Sequence, residues 1–132
     1  MPELDASTRC PCGTGLTYYE CCEPFLRDAA LPPTAERLMR SRYTAYAIRN
    51  PNYLLATWHP STRPKTMGLD PDVRWIGLEI LGRTRGGMLD SVGTVEFRAT
   101  YRAKGMRQHQ RETSSFVRDN RVWYYVDGIV VA

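Results

Sequence analysis

The apolar positions change their period partway along the chain. Leu38, Met39, Arg42, Tyr43, Tyr46 and Ala47 recur at i, i+3, i+4 spacing, the repeat of one helix face, and predict a helix over about 35–49 with Thr34 as its N-cap. Asn50 and Pro51 then end that helix and start another, because asparagine caps well and proline is tolerated at the first helical position. Tyr53, Leu54, Leu55 and Trp58 give this short second helix its apolar side, and it stops before Pro60. "STRPKTMGLDPD" reads as a loop by its proline, glycine and aspartate content.

Past residue 72 the period becomes 2. "VRWIGLEIL" alternates, which places Ile76, Leu78 and Ile80 on one side and Trp75 and Glu79 on the other. "VGTVEFRATYRA" puts Val95, Phe97, Ala99 and Tyr101 on one face, with Glu96, Arg98 and Arg102 behind them. "KGMR" turns the chain, and "HQRETSSFVR" and "RVWYYVDGIVV" follow around an Asp119-Asn120 turn. Helices followed by a four-stranded antiparallel meander make the fold class α+β.

Ahead of both halves stands "CPCGTGLTYYECC", which holds every cysteine of the chain: Cys10, Cys12, Cys21 and Cys22. The boundary falls near residue 27, giving a small module over 1–26 and an α+β domain over 27–132. Phe25 and Leu26 are suited to anchoring the first onto the second. The start of the chain has neither a basic nor an apolar leader pattern, and no apolar run is long enough for a membrane span, so the expectation is a soluble cytoplasmic protein with no membrane partner. In that compartment thiols stay reduced, which weighs against a disulfide staple.

Four thiolates around one tetrahedral ion at about 2.3 Å place the sulfurs about 3.8 Å apart, and two short-spaced pairs meet that demand. Gly13 and Gly15 suit a chain that doubles back around an ion. A redox pair would centre on Cys21 and Cys22, yet dithiol motifs place two residues between the sulfurs, and a bond between neighbours is strained. Metal binding is the best reading of the spacing, with redox chemistry and inert clustering as the alternatives.

The stretch resembles the SEC-C zinc-binding motif, C-P-C-G-S-G-x-x-Y-x-x-C-C, with Thr14 for the usual serine and with Tyr18 matching. That resemblance implies one structural Zn2+ held by Cys10, Cys12, Cys21 and Cys22, and a role in binding a protein partner. The similarity runs on through "ALPPTAERLMRSRYTAYAIRNPNYLLATWHPST", "VEFRATYR", "RETSSFVR" and "WYYVDG", and identifies the chain as similar to the bacterial YchJ family. It implies a SEC-C knuckle ahead of a nuclear-transport-factor-two-like domain, the cystatin-like cone in which helices pack on a curved antiparallel sheet. It implies no reaction.

A cone leaves a cavity between helices and sheet, so the inward residues carry the functional question. Strand alternation turns Glu112, Ser114 and Phe116 inward from the third strand, and Trp123, Tyr125 and Asp127 from the last. Glu112 then sits among aromatic rings, either held by an ion pair or by a hydrogen bond to Tyr43 or Tyr46, or free for a ligand. His59 is a candidate general base by its near-neutral titration. The candidate pocket comprises Tyr43, Tyr46, His59, Glu112, Trp123 and Tyr125; no catalytic residue is assigned.

Composition adds little: 42% hydrophobic and 24% charged residues are globular values, and a net charge of +4 is modest. Arg98, Arg102, Lys104, Arg107 and Arg111 do crowd one hairpin, where they could track a nucleic-acid backbone or simply form a solvated edge. Three functions therefore stand in order: a zinc-stabilised adaptor, a small-molecule binder or enzyme using Glu112, and an RNA-binding module. An open, acidic, aromatic cavity reverses the first two.

Overall fold

A computed structural model describes residues 4–131. Three short helices, α1 (Glu23–Leu26), α2 (Ala35–Ala47) and α3 (Pro51–Ala56), precede four strands, β1 (Val73–Arg85), β2 (Val92–Ala103), β3 (Met106–Asp119) and β4 (Val122–Val130). The strands form one antiparallel sheet in the order β1-β2-β3-β4, with α2 packed across its inner face. The α+β class expected from the pattern is present, as is the order of elements that the family resemblance implies.

The helix signals act as read. Thr34 accepts from the Arg37 amide and Asn50 from the Tyr53 amide, each filling one of the orphan donors at a helix start. α2 stops at Ala47, two residues short of the expected end, because Arg49 adopts φ 61° and the Asn50 amide reaches back to the Ala45 carbonyl. The Arg49 guanidinium then donates to the carbonyls of Asp70, Pro71 and Val73, pinning the loop before β1 to the end of the helix.

Two bulges correct the expected faces. In β1 the register slips between Trp75 and Gly77, so Trp75, Leu78 and Ile80 all pack against the core while Ile76 is exposed. An extra residue reverses alternation beyond it, which puts Trp75 on the side opposite to the one expected. In β4 a slip lies between the pairs Ser115↔Asp127 and Phe116↔Tyr125. Trp123 and Tyr125 face inward as expected, but Asp127 pairs with outward Ser115 and is exposed.

The buried cluster is continuous from knuckle to sheet. Cys10, Cys12, Cys21 and Cys22 belong to the same cluster as Leu38, Met39, Tyr43, Val95, Phe97, Phe116 and Trp123. Phe25 on α1 is buried as well and lies under the Arg37 guanidinium. The cysteine module therefore has no separate core; it closes one end of the cone's.

Candidate functional site

The cysteine cluster is built on a miniature hairpin. Arg9 and Thr17 pair as an antiparallel bridge, the Cys10 amide donates to the Leu16 carbonyl, and the Tyr18 amide donates to the Thr8 carbonyl. Tyr18 is buried, and its carbonyl accepts from both Cys21 and Glu23, which fixes the turn carrying the second cysteine pair. Gly13 has φ 85°, and a β-carbon there would stand 3.2 Å from the Leu78 carbonyl oxygen, so both its backbone and its contact with β1 favour glycine. From α2, Arg40 donates to the Cys12 carbonyl at 2.7 Å.

The four Sγ atoms lie within 4.8 Å of one another, and all four residues are buried. Cys12 and Cys21 are 3.5 Å apart and Cys21 and Cys22 3.9 Å, bracketing the ~3.8 Å of a tetrahedral tetrathiolate. Thr14 keeps its hydroxyl 3.2 Å from Cys21 Sγ, so the replacement of serine preserves that contact. Burial pushes the Cys21 thiol up to about 11. Hydrogen bonds to Cys10 and Cys12, and then burial, push Cys22 up as well, while bonds from Cys10 and Cys22 pull Cys12 down. Four buried thiolates side by side need a cation to offset their charge. The donor set fits a metal ion, and four protein sulfurs leave no coordination position for water.

A second site opens between α2 and the sheet. A cavity of about 270 Å³ is lined by Met39, Tyr43, Tyr46, Trp75, Phe97, Ala99, Gln110 and Glu112. The rings form a connected wall: Trp75 lies 6.3 Å from Tyr43, 6.0 Å from Tyr46 and 5.1 Å from Tyr101, all edge-on or tilted. Glu112, half-buried and paired across the ladder with Phe97, faces this wall. Its Oε2 accepts from Gln110 at 2.7 Å rather than from either helix tyrosine.

Tyr125 neighbours both Glu112 and Arg42. The Arg42 guanidinium lies 4.4 Å from the Tyr125 centroid and 5.3 Å from that of Trp58, and donates to the Leu54 carbonyl and the Thr57 hydroxyl. Burial brings Arg42 down to about 10. Tyr125 is pushed up to about 12, first by burial and then by the Glu112 charge; burial also takes Tyr43 up to about 12.

Of the residues singled out in the sequence, Tyr43, Tyr46 and Glu112 line the cavity, whereas Tyr125 is not in its lining and neighbours Glu112 instead. Trp123 is buried in the core and donates from Nε1 to the Pro33 carbonyl. His59 lies elsewhere, with Nδ1 2.7 Å from the Ser61 hydroxyl, Nε2 3.4 Å from Asp119, and its ring edge-on to Tyr124. Met39, Trp75 and Gln110 line the cavity outside the pocket expected from the sequence, although Gln110 shares Glu112's strand parity. On the basic hairpin, Arg98 is paired with Glu79 and Arg111 with Glu96. A larger open trough, about 530 Å³, runs between the α1–α2 connection, α3 and β4, with Asp28 as its one carboxylate. It too has rings, Phe25, Tyr53, Trp123 and Tyr124, but Phe25 and Trp123 are buried in packing and Asp28 is exposed, whereas Glu112 is half-buried.

Residues 34–128 match the sequence profile of the YchJ middle NTF2-like domain. A UPF0225 protein of Corynebacterium glutamicum is 52% identical over 92% of this chain and 97% of its own. A UPF0225 protein of Chromobacterium violaceum is 49% identical over 95% of each. The solution structure of a SEC-C motif containing protein from Rhodopseudomonas palustris superposes with a TM-score of 0.81 at 35% identity, covering 93% of this chain and 98% of that one. The crystal structure of a SEC-C motif protein from Psychrobacter arcticus gives 0.76 at 28% identity, covering 96% and 85%.

Proposed function

The chain belongs to the YchJ family, and from the cavity that its NTF2-like domain leaves open we propose that it is a small-molecule-binding protein braced by a structural zinc ion. The observation that carries this reading is the meeting of Glu112 with Tyr43, Tyr46, Trp75 and Phe97 around unfilled space. A core without a task closes such a space, because an empty volume forfeits packing contacts and a carboxylate among rings loses hydration. The zinc is held by Cys10, Cys12, Cys21 and Cys22. Its task is to knit residues 4–26 onto the end of the core, in keeping with the SEC-C motif of the structural relatives.

This order places binding ahead of the adaptor role. The adaptor reading retains one support, the exposed Leu16 and Tyr19 on the knuckle surface, which offer a patch for a protein partner. Native mass spectrometry separates the two. Binding predicts a small added mass on the zinc-loaded protein that disappears in Ala99→Phe, whose ring occupies the cavity. A spectrum of protein plus zinc alone, unchanged by the substitution, contradicts it.

A further inference from the structure

We propose that the cavity selects an organic cation, of the methylated-ammonium class, held by the aromatic wall and by Glu112. The inference rests on the binding reading above and adds the ligand's charge and chemistry to it.

The lining has one formal charge, and it is negative. Among the described residues Glu112 makes no ion pair; the chain's salt bridges lie at Glu23, Glu36, Glu79, Glu96 and Asp119. Arg42 lies over the Tyr125 ring, donates from Nη1 to the Leu54 carbonyl and the Thr57 hydroxyl, and is not in an ion pair with Glu112. The cavity face of the carboxylate is therefore left to Gln110 and to whatever enters. An anion would meet Glu112 without a counter-charge, and a neutral apolar molecule would leave the carboxylate half dehydrated and unanswered.

Aromatic rings facing the same space complete the case. Ring faces attract cations through their quadrupole, most strongly where water is displaced. Tyr43, Tyr46 and Trp75 supply three rings whose centroids stand 6.0 and 6.3 Å apart, and the fold already stacks one cation on aromatic rings at Arg42. Methylation follows from donor counting. A primary ammonium brings three N–H groups that each need an acceptor, whereas a trimethylammonium brings none and covers its charge with carbon. Around this cavity carbon dominates the wall and Glu112 already accepts from Gln110, so the methylated cation leaves fewer donors unanswered.

Three probes of one shape test this: choline, its neutral carbon analogue 3,3-dimethylbutan-1-ol, and the anion 3,3-dimethylbutanoate, each titrated into the zinc-loaded full chain and followed by amide shifts of Met39, Tyr43, Phe97, Ala99 and Gln110. Choline should shift these amides and bind about tenfold or more tightly than the alcohol, with no shift from the anion. Glu112→Gln should weaken choline about tenfold and leave the alcohol as it was. Tyr46→Leu, which removes a ring and keeps the carboxylate, should weaken choline selectively too, and either variant suffices if the other misfolds. Equal binding of choline and the alcohol, or preference for the anion, overturns the cation inference while leaving the cavity a binding site. No shift at these amides from choline also overturns it, and the binding reading then stands or falls on its own mass-spectrometric test.

Discussion

Gly128 lies directly against Glu112: a β-carbon placed on it would stand 2.6 Å from the Glu112 Oε1, with the Tyr125 hydroxyl at 3.2 Å and the Ser114 hydroxyl at 3.3 Å. The pair sits on neighbouring strands, where Ser114 opposes Gly128 and Glu112 opposes Val130. Glycine on β4 thus sets where the carboxylate on β3 rests. Gly128→Ala should keep the fold, because the atom in its way is the end of a flexible side chain, yet displace Glu112. The expected outcome is a thermal midpoint within a few degrees of the parent and a loss of ligand affinity approaching that of Glu112→Gln. Unchanged affinity in titration calorimetry would show that the carboxylate's position is immaterial.

Zinc removal should reach beyond the knuckle. The cysteines share a buried cluster with Leu38, Met39 and Tyr43, so losing the ion removes a cross-link from the end of the core. Metal analysis should find one zinc per chain, and Cys22→Ser should lose it and lower the midpoint by roughly 10 °C or more. A metal-free variant that melts with the parent would restrict zinc to a local role.

Much of this architecture was legible beforehand, and the exceptions share a cause. Helix α2 and the start of α3 were announced by Thr34 and Asn50, whose caps are local chemistry. The clustering of Cys10, Cys12, Cys21 and Cys22 was legible because all four lie within one short loop. Faces of strands were legible only up to a bulge. Trp75 and Asp127 were assigned to the wrong sides because the extra residue in β1 and in β4 is decided by pairing with the next strand. Strand alternation alone turns Glu112 inward, and it holds because β3 pairs with β2 in an unbroken register from Val92 to Ala103. His59 follows a helix end, where no period remains to tell which neighbour it meets.

The connection between β1 and β2 gives a sharper stability prediction. A β-carbon on Gly93 would stand 2.5 Å from the Gly86 Cα and 2.7 Å from its nitrogen, and both are backbone atoms that cannot swing aside. The Gly86 carbonyl also accepts from the Ala35 amide at the first residue of α2. Gly93→Ala should therefore cost about 3 kcal/mol or more and loosen the helix start from the sheet. Denaturant unfolding checks the magnitude, and a cost below about 1 kcal/mol would contradict this packing.

Alkaline titration tests the buried tyrosines. Tyr43, Tyr53 and Tyr125 are each pushed up to about 12 from an ordinary value near 10, chiefly by burial. A folded-state value above the unfolded one gives stability that is complete below pH 10 and is lost as pH climbs through 12. Arg42, brought down to about 10, works in the opposite direction over the same window. Three tyrosines against one arginine decide the sign. The thermal midpoint should hold steady toward pH 10 and then fall; a rise, or no change to pH 12, would contradict the burial of these rings.

The most direct test of the pocket as the working site is a ligand-observed NMR screen of small organic molecules against the zinc-loaded protein and Ala99→Phe in parallel. Ala99 is buried and lines the cavity, so a ring in its place occupies that space. Binders to the parent, cations foremost among them, should lose their saturation-transfer signal in the filled variant. Binders that ignore the substitution, or a parent with none, would return the search to the knuckle surface around Leu16 and Tyr19.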